Sequence, residues 1–130
     1  MIEINGWISL LNDTDGEGSI REFEKKIPLI KEILNIHDSV YNQFCKLVPL
    51  NGSYYIYIGI NHNHEGDSLI EIRKIISKIS SHAIGSYGLL YYRLHDGENY
   101  NKFKILRLSK GKVTIEEDSL LSPCNPLIED

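Results

Sequence analysis

One hundred and thirty residues, 42% hydrophobic and 25% charged, match one globular domain of ordinary size and leave no room for two, so a single domain over 1–130 is expected. Fourteen Lys and Arg against 18 Asp and Glu give a net charge of −4, the wrong sign for gripping a phosphate backbone and a suitable one for docking on a basic surface. Direct binding to nucleic acid is therefore not expected.

Two cysteines, Cys45 and Cys124, form no CxxC pair and are too few for a disulfide framework, which suits buried thiols in a reducing cytoplasm. Glu3 stands where an export signal carries Lys or Arg, and Asn5 and Gly6 interrupt the first apolar run. The strongly apolar stretches fall well short of the roughly 20 residues a membrane helix needs. A cytoplasmic protein that makes no use of a membrane is expected.

Residues 2–11 read as a first strand, and the polar run DTDGEG as a loop. Ser19 and Glu22 form a capping box ahead of Ile20, Phe23, Ile27, Ile30 and Leu34 at helical spacing. Pro28 conflicts with one continuous helix: it either kinks it or moves its true start about one turn later. Residues 40–48 and 53–60 form a hairpin about the turn PLNG. After the loop NHNHEGD, Ser68 and Glu71 repeat the capping box before Leu69, Ile72, Ile76, Ile79 and Ala83, a second helix that Gly85 ends. Residues 86–94, 103–108 and 112–117 read as strands, joined by HDGEN and by a tight turn at Lys110-Gly111. The proline-containing tail should be irregular.

The expected fold class is α+β. An antiparallel or mixed sheet of about six strands carries two helices in the order β-α-β-β-α-β-β-β, a variant of the ferredoxin-like fold. Strand directions then bring the loop 61–67, the turn 95–100 and the exit of the last strand to one edge. That edge would gather His62, His64, Glu65, Asp67, His95, Asp96, Glu98 and Asp118, with the acidic loop 13–17 on the opposite edge.

No catalytic set is complete. His62-x-His64 with Glu65 could supply three metal ligands, which defines one alternative, a small metal-dependent enzyme, but no second ligand pair accompanies them. Asn-His-Asn-His is also ordinary loop composition. There is no GxSxG elbow, no P-loop and no GxGxxG, and the acids around Cys124 would make it a poor nucleophile. Paired carboxylates at Asp13/Asp15, Asp96/Glu98 and Glu116–Asp118 fall at turns or strand ends, where solvated charge is the default. Neither a catalytic residue, a resident metal nor a cofactor is expected. Tyr54, Tyr55, Tyr57, Tyr87, Tyr91 and Tyr92 on two strands allow another alternative, an RNA- or ligand-binding sheet, although the RNP aromatic signature is missing. Alternate rings should pack in the core while the others cover the outer face or anchor a partner. Trp7 and Tyr87, each within an apolar strand, are expected to be buried.

Gly6-Trp7, the segment Gly85-Ser86-Tyr87-Gly88-Leu89-Leu90-Tyr91, Lys110-Gly111, and above all the ending Leu121-Ser122-Pro123-Cys124-Asn125-Pro126-Leu127-Ile128-Glu129-Asp130 resemble the immunity protein 7 family of bacterial polymorphic toxin systems. The resemblance runs from end to end, with little family signature in 12–60. It implies a non-enzymatic immunity protein, of the kind found in contact-dependent growth inhibition, that neutralises a cognate toxin C-terminal domain. With the acidic charge, the expected partner is a basic nuclease whose active site is occluded by Glu65, Asp67, Asp96 and Glu98, with Tyr100 and His62 beside them.

Overall fold

The computed structural model describes residues 2–13, 20–38, 43–62, 68–94 and 102–122. Its elements run β1 (Ile2–Leu10), α1 (Ile20–Glu24), α2 (Ile27–Asp38), β2 (Gln43–Leu50), β3 (Ser53–His62), α3 (Ser68–His82), β4 (Tyr87–Leu94), β5 (Lys104–Ser109) and β6 (Lys112–Glu117). The fold is α+β, as expected, and the sheet is antiparallel at every pairing, in the order β2-β3-β1-β4-β5-β6. The first four strands fit the split β-α-β arrangement, and β5 and β6 extend the sheet past β4.

The first helical region is broken, and Pro28 explains where. Without an N–H, proline is tolerated only in a helix's first turn, and here it is the second residue of α2. α1 therefore closes at Glu24; Lys26 donates its backbone N–H to the Phe23 carbonyl at 2.9 Å, and Ile30 then donates to the Lys26 carbonyl at 3.0 Å. Ser19, the proposed cap of α1, lies outside the described residues. The turn at Lys110-Gly111 is as expected, whereas the PLNG turn narrows to Asn51-Gly52, because Pro49 and Leu50 still pair with Tyr54 and Ser53 in β2. Asn51-Gly52 and Lys110-Gly111 have positive φ at both central residues, the type I′ backbone whose twist matches a two-residue hairpin.

The helices cover one face of the sheet. Ile2, Ile4, Ile8 and Leu10 of β1, Ile56, Ile58 and Ile60 of β3, Leu90 and Tyr92 of β4, and Leu106 and Leu108 of β5 are buried there. They pack against Phe23, Ile27, Ile30 and Leu34 from the broken helix and Ile72, Ile75, Ile76, Ile79 and Ala83 from α3. Each large aliphatic side chain so buried contributes about 2 kcal/mol. Cys45 is buried within this core, whereas Cys124 lies outside the described residues. Gly6 and Gly88 keep the central strands close. A Cβ on Gly6 would lie 2.6 Å from the Leu90 Cα, and one on Gly88 would lie 2.7 Å from the Ile8 Cα, so neither position admits a side chain.

Among the described residues no helix is long and apolar enough to cross a membrane.

Candidate functional site

Register fixes what each end of the sheet carries. His62, the last residue of β3, and Leu94, the last of β4, both pair with Ile2, so the chain leaves both strands at one end. Glu117, opposite Lys104, brings the end of β6 to that same end, whereas Asn12 and Asp13 follow β1 out of the other. The strand directions expected from the sequence are therefore correct. Glu65, Asp67, Asp96, Glu98 and Tyr100 themselves lie outside the described residues, as do His64 and His95, and His62 is described only in its backbone.

Asp118 does not join an acidic edge. It is buried, and its carboxylate accepts the backbone N–H groups of Leu120 at 3.0 Å and Leu121 at 2.8 Å and the Ser122 hydroxyl at 3.0 Å. Burial pushes the carboxyl upward, but the three donors outweigh it and hold Asp118 below its ordinary value. Its role is to fold the chain after β6 back on itself. Burial likewise pushes the Tyr92 hydroxyl up, opposed by the charge of Arg73 and aided by that of Glu117.

The face of the sheet away from the helices holds what the sequence reading misplaced. Trp7 is 37% exposed and Tyr87 is 45% exposed, so neither is a core residue. The period of β1 explains it: Ile2, Ile4, Ile8 and Leu10 occupy even positions on the helix side, which puts odd-numbered Trp7 on the other. Counting alternation rather than hydrophobicity finds this. The two rings meet edge to face, 6.1 Å apart at 87°, and with Leu89, Arg107 and Ser109 they line a cleft of about 330 Å³. One register row crosses this face as Lys46, Tyr57, Trp7, Leu89, Arg107 and Thr114. The tyrosines divide by the same rule, with Tyr92 buried in the core and Tyr54 packed against it, while Tyr55 and Tyr57 stack on the outer face 6.3 Å apart.

Nearer the other end the outer face is closed by its own contacts. Arg93 reaches Glu3 at 3.0 Å and lies 5.4 Å above the centre of the Phe103 ring, which also meets Tyr91 edge to face. Among the described residues no group of three or more His, Cys, Asp or Glu is arranged to hold a metal; the His64 and Glu65 of the proposed ligand set lie outside them.

The motifs that carry the family resemblance now have physical roles. Gly6 and Gly88 allow close strand approach, and a Cβ on Gly85 would strike the Asp13 carbonyl. Buried Ser86 accepts the Leu11 N–H at 3.1 Å through its hydroxyl, and Ser122 begins the tail motif. The family model for immunity protein 7 matches residues 1–130, the whole chain. The chain belongs to the immunity protein 7 family. No curated protein and no solved structure matches it. As a member of the immunity protein 7 family, it has an immunity protein's role, binding a cognate toxin.

Proposed function

We propose that this chain neutralises a bacterial toxin C-terminal domain by binding it, performs no catalysis of its own, and acts in the cytoplasm of a cell carrying a polymorphic toxin system of the contact-dependent inhibition kind. The observation that carries this reading is the match of an immunity-protein family over the entire chain. The toxin is a basic nuclease whose active site is occluded. What supports this is the net charge of −4 and the neighbouring exits of β3 and β4, because the sequence continuing from each is acidic: Glu65 and Asp67 after one, Asp96 and Glu98 after the other, with Tyr100 following. Carboxylates carried by both of these segments would substitute for substrate phosphates and speed encounter with a basic groove.

The test is co-expression with the product of the adjacent upstream gene. A stable one-to-one complex with loss of nuclease activity is the expected result, and a toxin left fully active at saturating inhibitor overturns the reading. His62→Ala combined with His64→Ala should leave protection intact. Loss of stoichiometric zinc together with loss of protection would move the function to a metal centre.

A further inference from the structure

The outer sheet face differs in charge from the chain as a whole. Its described charged positions are Lys46, Arg93, Arg107 and Lys112 against Glu3 and Glu116, a cationic surface on an acidic protein. Arg93 and Glu3 are joined to each other, and Glu116 is turned to the Thr114 hydroxyl at 3.3 Å. Among the described residues no carboxylate pairs with exposed Arg107, which lines the Trp7–Tyr87 cleft. Trp, Tyr and Arg are the residue types that dominate binding energy at protein interfaces.

Resting on the reading of the chain as a toxin-binding immunity protein, we infer that the cleft formed by Trp7, Tyr87, Leu89 and Arg107 is the anchoring contact for the toxin, and that it takes an apolar toxin side chain flanked by a carboxylate. The rings of Trp7 and Tyr87, set at 87° to each other, form an apolar corner against which one side chain can pack. The same angle prevents both rings from stacking successive bases, which favours a protein side chain as the occupant. Arg107, which also lines the cleft, supplies a planar donor fork matched by a carboxylate. This contact lies on the sheet face, five residues along β1 at Trp7 and seven at Ser9 opposite Tyr87 from the end where β3 and β4 exit, within the span of an interface of standard size, about 800 Å² per partner. The chain's net negative charge then accelerates encounter with a basic toxin, and the cleft holds the complex.

Trp7 is the only tryptophan in the chain, which makes the inference directly readable. Incorporating 5-fluorotryptophan into this chain alone yields one ¹⁹F resonance, and adding unlabelled toxin should shift it. Tyr87→Ser and Arg107→Glu, both at exposed positions, should lower the melting temperature by no more than a few degrees and raise the dissociation rate at least tenfold while changing the association rate little. An unmoved resonance in a complex that forms, or wild-type dissociation from both variants, overturns the cleft as anchor while the immunity reading stands. A resonance that moves with self-association or with single-stranded RNA, and not with toxin, overturns it in favour of those occupants. If the wild-type chain neither binds nor silences the toxin, the functional reading fails and the anchor fails with it.

Discussion

Ser122 and Asp118 lock the chain that follows the last strand: the Ser122 hydroxyl donates to the Asp118 carboxylate at 3.0 Å and accepts the Phe103 N–H at 2.9 Å, while Asp118 donates its own N–H to the Phe103 carbonyl at 3.3 Å. The segment from which the SPC motif departs is thereby tied to the start of β5. Because folding lowers the Asp118 pKa, its carboxylate stabilises the folded state above the ordinary aspartate value and loses that contribution as pH falls through the lower folded value. The melting temperature of the wild type should therefore drop below about pH 4 more steeply than that of Asp118→Asn, which lacks the titrating group. At pH 7, Asp118→Ala should lose about 2 kcal/mol by denaturant unfolding, since three donors lose a charged acceptor.

Lys26 occupies the break between α1 and α2, where its ammonium donates to the Asn12 side-chain oxygen at 2.6 Å and to the His82 carbonyl at 2.8 Å. A cation there joins three segments and complements the carbonyl end of α3. Lys26→Met should cost about 1–2 kcal/mol, and Lys25→Met, at an exposed neighbour, less than about 0.5. Equal costs would assign Lys26 no structural part.

Gly88→Ala would drive a methyl group into the Trp7 carbonyl and the Ile8 Cα, both backbone, which no rotamer change relieves. A loss of about 3 kcal/mol or more, or failure to accumulate folded protein, is expected. Gly52→Ala meets no atom within 4 Å and carries only the strain of φ +81°, so it should cost much less.

Tyr87→Ala should lower stability by about 1 kcal/mol or less, whereas Leu90→Ala, three residues on but fully buried, should cost about 2–5. A melting curve of each variant separates the displayed face of β4 from its packed one.

Charge reversal of Asp96 and Glu98 to Lys should slow association with a basic nuclease and weaken its salt dependence, with little change in stability. The same reversal at Asp13 and Asp15, beyond the opposite end of β1, should leave the association rate unchanged. The reverse pattern in stopped-flow binding would relocate the acidic contact.

Period-2 and period-3.6 patterning, the capping boxes and the turn dipeptides were sufficient to read six strands, the helical regions and their order, because each is a local property of the backbone. Direction followed from order: hairpins and crossovers alternate the strands, so the shared exit of β3 and β4 beside Ile2 could be foreseen. Which face of the sheet the helices cover is a non-local outcome, and it decided the fate of the aromatics. Trp7 and Tyr87 are hydrophobic enough to be taken for core residues, yet one helical layer buries only one face, and alternation from the buried isoleucines of β1 leaves Trp7 on the other. Asp118 shows the converse. Its composition suggests solvent, but the chain's return toward Phe103 surrounds the carboxylate with donors that only the folded backbone brings within reach.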